Sequence, residues 1–304
     1  IKPKFWDDKN NLIAILLLPL SFISLIFIFF KNKLSKKVRY KIPIICIGNI
    51  YIGGTGKTPT SIFLANELNK LGRKSVILRK FYKSHKDEHD LIKTNFKNLI
   101  LTQNRSNGII EAEKNFDIVI LDDGFQDYKI VKNLNIICFN SNQLTGNGYV
   151  IPAGPLRESL SALKNAQIVL INGSENKKFE DKIIKMNKKL NIFYSEYKPV
   201  SLEKFKNKGL LAIAGIGNPE NFFKLVVQSN LKIEKKLIFP DHYRFSYDEI
   251  KNIVNKAKDK KLQIITTEKD YYKIKDFNFK EIDYLKVELI IKNKRQFLEK
   301  IQEF

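Results

Sequence analysis

One stretch constrains the fold of this chain more than any other: Gly48-Asn49-Ile50-Tyr51-Ile52-Gly53-Gly54-Thr55-Gly56-Lys57-Thr58. It follows an apolar run, Ile42 to Ile47, and precedes a helix-like run, Pro59 to Leu71. Strand, glycine-rich loop and helix in that order form a cradle for nucleotide phosphates. Small residues let backbone N–H groups close around phosphate oxygens, and the helix N-terminus adds partial positive charge. Lys57 is placed to reach the β- and γ-phosphates, and Thr58 to offer a hydroxyl to Mg2+. Gly53, Gly54, Thr55, Gly56, Lys57 and Thr58 are the expected nucleotide-binding residues. The common pattern puts Gly six residues before the lysine. Tyr51 stands there instead, and Gly53, Gly54 and Gly56 supply the flexibility.

The rest of the chain repeats the same alternation. Ile42–Ile47, Ser75–Leu78, Phe116–Leu121, Leu134–Phe139 and Gln167–Ile171 read as strands separated by amphipathic stretches. Such alternation predicts an α/β fold with a mostly parallel sheet covered on both faces. Ligands in such sheets bind at the carboxyl ends of the strands. From about Phe193 a second unit begins. Gly209–Ala214, Gln263–Thr266 and Leu285–Ile290 read as its strands. Asn218-Pro219-Glu220 starts one helix, a capping box at Ser246-Tyr247-Asp248-Glu249 starts another, and Lys294–Phe304 forms a closing helix. The 304 residues accommodate about two domains. The expected division is 1–40, a hydrophobic helix with a basic collar; 41–192, a nucleotide-binding domain; and 193–304, a smaller α/β domain.

Leu12 to Phe30 runs nineteen residues without a charge, interrupted by Ser21, Ser24 and Pro19. That length suits the hydrocarbon core of a bilayer. Lys31, Lys33, Lys36, Lys37, Arg39 and Lys41 follow at once, which places residue 31 onward in the cytoplasm. Spanning the bilayer and lying in its interface both fit the length, because Pro19 can break the helix. The net charge is +22, but the lysines are scattered rather than clustered with aromatics, so nucleic acid is not an expected partner. Cys46 and Cys138 lie in apolar runs and read as buried, reduced core residues, with no metal or disulfide framework.

The strand Phe116–Leu121 ends in Asp122-Asp123-Gly124. In phosphate-loop enzymes an acid there holds Mg2+, directly or through water, so Asp122 and Asp123 join Thr58 as expected metal residues. Pro152-Ala153-Gly154-Pro155-Leu156 shapes a loop that could hold Arg157 at a phosphate, with Glu158 next to it. His85-Lys86-Asp87-Glu88-His89, taken alone, reads as a solvated polar loop. His242, in the apolar frame Phe239 to Phe245, reads alone as a structural histidine.

These motifs occur together and in a particular order. Gly-Gly-Thr-Gly-Lys-Thr-Pro follows an apolar N-terminal helix; then come Asp87-Glu88, Asp122-Asp123-Gly124-Phe125-Gln126, and Asn147-Gly148 through Glu158. Phe239-Pro240-Asp241-His242 and Thr267-Glu268-Lys269-Asp270 complete the set. Over nearly its whole length the chain resembles the tetraacyldisaccharide 4'-kinases of the lipid A pathway. The resemblance implies a P-loop NTPase-like fold of two α/β/α domains with an N-terminal membrane-associating helix. It implies phosphorylation of the 4'-hydroxyl of a tetraacylated glucosamine disaccharide 1-phosphate, with ATP and Mg2+, at the cytoplasmic face of the inner membrane. No obligate protein partner is implied. Carried onto this chain, it makes Asp87 the catalytic base in partnership with His242, and lines the active site with Arg157, Glu158 and Arg105. Three places depart from the family pattern: Lys86 precedes the Asp-Glu pair where Gly is usual, Leu78-Arg79-Lys80-Phe81-Tyr82 replaces a Ser-Arg-Gly-Tyr-Gly run, and Asp127 follows Gln126 where His is usual.

The chemistry is coherent. A sugar hydroxyl is a weak nucleophile whose proton must leave during attack, and Asp87 would accept it while His242 orients the carboxylate. Placement and charge neutralisation would fall to Mg2+, Lys57 and Arg157. The acyl chains of the substrate need a surface, and the basic collar after Leu12–Phe30 suits an anionic membrane. Two other classes compete. A membrane-bound nucleotide switch would need guanine reading, but Thr267-Glu268-Lys269-Asp270 has its residues in the wrong order for that. A soluble-substrate ligase on the same fold would not need the apolar segment.

Overall fold

The computed structural model describes residues 3–241 and 243–304, so His242 lies outside the described residues. In chain order the helices are α1 (Leu12–Leu16), α2 (Leu18–Leu34), α3 (Lys57–Lys70), α4 (Lys86–Asn95), α5 (Arg105–Ala112), α6 (Lys177–Met186), α7 (Pro219–Gln228), α8 (Tyr247–Asp259), α9 (Glu268–Ile274) and α10 (Lys294–Gln302). The strands are β1 (Ile44–Gly48), β2 (Ser75–Lys80), β3 (Leu99–Thr102), β4 (Ile118–Asp122), β5 (Leu134–Asn140), β6 (Ile168–Asn172), β7 (Asn191–Val200), β8 (Gly209–Ala214), β9 (Lys232–Ile238), β10 (Gln263–Thr267) and β11 (Ile282–Ile291). The chain divides into two compact units. The first holds residues up to Phe81 with Asn98–Glu196 and Ile290–Phe304; the second holds Tyr82–Lys97 and Tyr197–Leu289.

The first unit is built on a parallel sheet in the order β3-β2-β4-β1-β5-β6-β7. Every residue of β1 and β4 is buried, as parallel strands with both faces covered require. The register sets the functional end. Ile47 of β1 pairs with Asp122 of β4, and Asp122 pairs with Arg79 of β2. Three neighbouring strands therefore end within one residue of a common rung, and the loop after β1 opens from that edge. The closing helix α10 belongs to this unit. Its Phe297 is fully buried, with ring centroids 6.4 Å from Phe63 and 5.2 Å from Phe193.

The uncharged N-terminal run is not one helix. It breaks at Leu17, which ends α1 and begins α2. Pro19 sits in the first turn of α2, where its missing N–H leaves no bond unmade. Among the described residues no helix is long and apolar enough to cross a membrane. One side of α2 faces the protein. Ser21, 4% exposed, donates to the Val150 carbonyl at 2.6 Å and accepts from the Ala153 N–H at 2.9 Å. Leu25 and Ile28 pack on Tyr51, Val150 and Leu156. The other side leaves Phe22, Ile23, Phe27 and Phe29 exposed.

The second unit carries a parallel sheet in the order β11-β10-β8-β9. Ser246 caps α8 by accepting the Glu249 N–H at 3.2 Å. Asn218 precedes α7 and Pro219 occupies its first turn, but the Asn218 side chain makes no capping bond. Apolar groups around Phe223 and Leu285, and around Phe245 and Ile264, fill the two faces. β9, which the pattern of apolar runs passed over, is the edge strand. Lys232, Glu234, Lys235 and Lys236 make most of it charged and most of its positions are exposed, a pattern that discourages pairing with another chain.

Candidate active site

The loop after β1 meets the geometric demand of a phosphate cradle. Gly53, Gly54 and Gly56 have φ of 76°, 52° and 89°, a left-handed backbone that other residues adopt only at a cost. Gly56 is the N-cap of α3, so Lys57 and Thr58 begin that helix. Thr55 is buried and accepts from Asn49 Nδ2 at 3.0 Å. Tyr51 is 2% exposed and forms an isolated bridge with Leu156. The residue that departs from the common pattern is thus a packing residue, held under α2 and against the loop that carries Arg157.

Two connected groups of charge meet at the carboxyl ends of β1, β2 and β4. Asp122 is fully buried. It accepts from Ser61 Oγ at 2.9 Å and from Thr58 Oγ1 at 3.3 Å, and it pairs with Arg79. Arg79 also donates to Thr58 Oγ1 at 3.2 Å. Asp123, in the left-handed region at φ 53°, gathers the other cations. Lys57 Nζ lies 3.7 Å from its carboxylate and Arg157 Nη1 2.9 Å. Burial alone would raise the Asp123 carboxyl, but Lys57, Arg157 and Arg79 outweigh it and hold it at about 2. Burial lowers the Lys57 ammonium, with Asp123 opposing. Arg105 donates to the Asp123 carbonyl at 2.7 Å and pairs with Asp127 at 3.3 Å. Asp127, which departs from the family pattern, therefore ties Arg105 down. Glu158 accepts from Gln126 Nε2 at 2.9 Å and is bonded by the Tyr128 hydroxyl.

Thr58 and Asp122 present hard oxygen donors on one side of the cradle. Mg2+ keeps waters and shares substrate phosphates, so one or two protein oxygens suffice for it. Among the described residues no three His, Cys, Asp or Glu side chains gather to cage a metal by themselves. The donor set fits a Mg2+ held jointly with a nucleotide. The cysteines are free and buried, and burial pushes the Cys46 and Cys138 thiols up to about 11 and 12.

Asp87 belongs to the second unit. The polar cluster around it is not a solvated loop: Lys86–Asn95 is the helix α4, and Asp87 and His89 are buried. The short apolar spacing there, with Ile92 the only apolar residue among the buried ones, hid the helix from periodicity. Asp87 lies 3.8 Å from Lys269 Nζ and 3.9 Å from Lys273 Nζ, both on α9. Lys269 also pairs with Glu88 at 3.0 Å and Asp241 at 3.3 Å. Ser61 and Arg79 beside Asp122, and separately Lys269 and Lys273 beside Asp87, are charged or polar neighbours that the sequence reading missed. For Arg79 one signal was available: an arginine closing a strand of buried apolar residues needs a buried partner.

Residues 13–304 match the family described as tetraacyldisaccharide-1-P 4'-kinase. A tetraacyldisaccharide 4'-kinase of Pelagibacter ubique is 38% identical, covering 99% of this chain and 96% of its own. That of Rickettsia akari is 34% identical over 98% of this chain and 96% of its own. A crystal structure of LpxK from Aquifex aeolicus, described as an "apo" form in complex with ATP, superposes with a TM-score of 0.72. It is 22% identical, and the match covers 96% of this chain and 99% of that one; the fold is shared. The chain belongs to the tetraacyldisaccharide-1-P 4'-kinase family and is a kinase of lipid A biosynthesis.

Proposed function

We propose that the chain transfers the γ-phosphoryl group of ATP to the 4'-hydroxyl of a tetraacylated glucosamine disaccharide 1-phosphate, with Mg2+, at the cytoplasmic face of the inner membrane. The observation that carries the nucleotide half is the convergence of Lys57, Thr58, Asp122, Asp123 and Arg157 beside the glycine turn. The backbone of Gly53 to Gly56 and the start of α3 hold the triphosphate. Lys57 and Arg157, already gathered by Asp123, neutralise charge that spreads over the transferring oxygens. Thr58 and Asp122 would hold Mg2+, with Asp123 beside them, and the ion would supply charge neutralisation for the phosphates. Arg105, Glu158 and Gln126 keep the Asp123 and Arg157 segments in place. Asp87 takes the proton of the attacking hydroxyl, with His242 as its partner. The nucleotide is handled within residues 41–192, and the smaller 193–304 region completes the enzyme.

The outward face of α1 and α2 supports the membrane half of the reading. Phe22, Phe27, Phe29 and Phe30 are more than half exposed, and Lys31, Lys33, Lys36 and Lys37 follow them. An anionic lipid surface satisfies both features, since it takes apolar side chains and attracts the lysines.

The test uses γ-labelled ATP and detergent-dispersed disaccharide lipid. Label is expected in the lipid with the native chain. Lys57→Ala is expected to lower nucleotide use, and Asp87→Asn to lower turnover by about a hundredfold or more while ATP still binds. Label that stays in ATP or appears only as free phosphate in the native reaction removes the kinase assignment for this substrate.

A further inference from the structure

We infer that Arg79 is a resident cation at the place where a divalent metal ion enters: it holds the Thr58 and Asp122 oxygens, so that the ion binds together with a nucleotide and not before it. The inference rests on the metal role proposed for Thr58 and Asp122.

Arg79 reaches this place through strand order. It stands next to last in β2, and the register sets it opposite Asp122 on the adjacent β4. Residues opposite one another in neighbouring strands share a face of the sheet. Thr58 and Ser61, one turn apart at the start of α3, meet Asp122 on that face. Asp122 is 0% exposed and Arg79 5%. Charges buried to that degree persist only when they are paired and hydrogen-bonded.

The pairing leaves both carboxylate oxygens in use. Oδ1 of Asp122 accepts from Ser61 at 2.9 Å; Oδ2 accepts from Thr58 at 3.3 Å and from Arg79 Nη1. The same Nη1 donates to Thr58 Oγ1 at 3.2 Å. Arg79 thus bonds the two residues whose oxygens suit a Mg2+ shared with a nucleotide. A divalent ion arriving alone has to share Asp122 Oδ2 with a guanidinium. Like charges about 4 Å apart repel by several times the thermal energy at the dielectric of a protein surface. Asp123 offers no way round, because Lys57 at 3.7 Å and Arg157 at 2.9 Å already hold it. The cations and carboxylates at this edge of the sheet therefore neutralise one another. A triphosphate changes the balance. Its oxygens supply ligands that the protein does not, and their charge compensates guanidinium and metal together.

The test is Mn2+ binding to the full chain, read from the electron paramagnetic resonance signal of the unbound ion, with Mn2+ as the probe and neither nucleotide nor lipid in the sample. Arg79→Gln is expected to bind Mn2+ about tenfold or more tighter than the native chain, since the repelling charge is gone. The same Mn2+ concentration is expected to raise the melting temperature of Arg79→Gln and to leave that of the native chain where it was. Adding Asp122→Asn to Arg79→Gln is expected to abolish the gain. Equal or weaker Mn2+ binding in Arg79→Gln overturns the inference, as does a gain that survives Asp122→Asn. If Arg79→Gln does not fold by itself, rescue decides: Mn2+ is expected to restore a cooperative melting curve where NaCl of the same ionic strength does not, and its failure to do so overturns the inference. Samples with ATP separate the two levels. If Asp122→Asn binds Mn2+ with ATP as the native chain does, the metal role of Asp122 itself falls. If Asp122→Asn weakens that binding while Arg79→Gln matches the native chain without nucleotide, only the role of Arg79 falls.

Discussion

Ser21→Ala is a sharp test of how the apolar N-terminal helix is joined to the rest of the protein. Ser21 is a small polar residue in the first turn of α2, and its hydroxyl bridges two backbone groups of the loop leading to Arg157. Removing the hydroxyl affects them unequally. The Val150 carbonyl keeps the bond from the Gly154 N–H at 3.1 Å. The Ala153 N–H, in a residue that is 0% exposed, loses its acceptor. Leaving one buried donor unpaired costs about 1–3 kcal/mol. In a protein of this size that corresponds to a fall of about 3 °C in melting temperature for a loss near 2 kcal/mol. Ser24→Ala is the matched control: its hydroxyl bonds only the Leu20 carbonyl of its own helix, at 3.1 Å. That change is expected to stay within about 0.5 kcal/mol. Thermal unfolding followed by circular dichroism reads both. If the two variants melt together, the bridge contributes nothing and α2 is held by its apolar contacts alone.

Acid should act through Asp123. Its carboxyl, ordinarily at 3.8, is held at about 2 by Lys57, Arg157 and Arg79 against the effect of burial. A lowered carboxyl stabilises the fold above its ordinary value, and that stabilisation is lost as pH falls toward 2. It is at most about 2 kcal/mol, reduced by the partial exposure of the group. Urea unfolding at pH 5 and at pH 2.5 should show a larger loss for the native chain than for Asp123→Asn; equal losses contradict the assignment. On the membrane side, Phe22→Glu with Phe27→Glu should weaken binding to anionic vesicles at least tenfold. Each aromatic contributes about 1.5–3 kcal/mol when removed from water, and the melting temperature should hold because both are more than 60% exposed. Unchanged vesicle partition takes the interface away from α2.

Much of the candidate site was legible because its elements are local. The glycines, Lys57 and Thr58 lie within six consecutive residues, and the left-handed turn they require is a property of the backbone itself. The place of Asp122 and Asp123 was legible because an apolar strand that ends in acid carries that acid to the carboxyl edge of the sheet, where the turn also opens. Arg79 was not, although it is bonded to both Thr58 and Asp122. Its place depends on β2 lying next to β4, and no local pattern states strand order. The segment around Asp87 was misread as a solvated loop for a related reason. Its polar residues are buried by other polar residues, so the alternation of apolar side chains that marks a helix is faint.

Family membership, the glycine turn and the alternation of strands with helices follow from the sequence alone, since each rests on neighbours in the chain or on motifs in order. The tertiary structure decided three other things. It broke the uncharged run at Leu17, because a proline in the first turn of α2 is compatible with a new helix start there. It turned Tyr51 from a misfit in a phosphate loop into a packing residue between α2 and the Arg157 loop. It also set two lysines of α9 against the buried Asp87 carboxylate. Each of these depends on residues brought together from distant parts of the chain, where burial and charge, rather than spacing, determine what a side chain does.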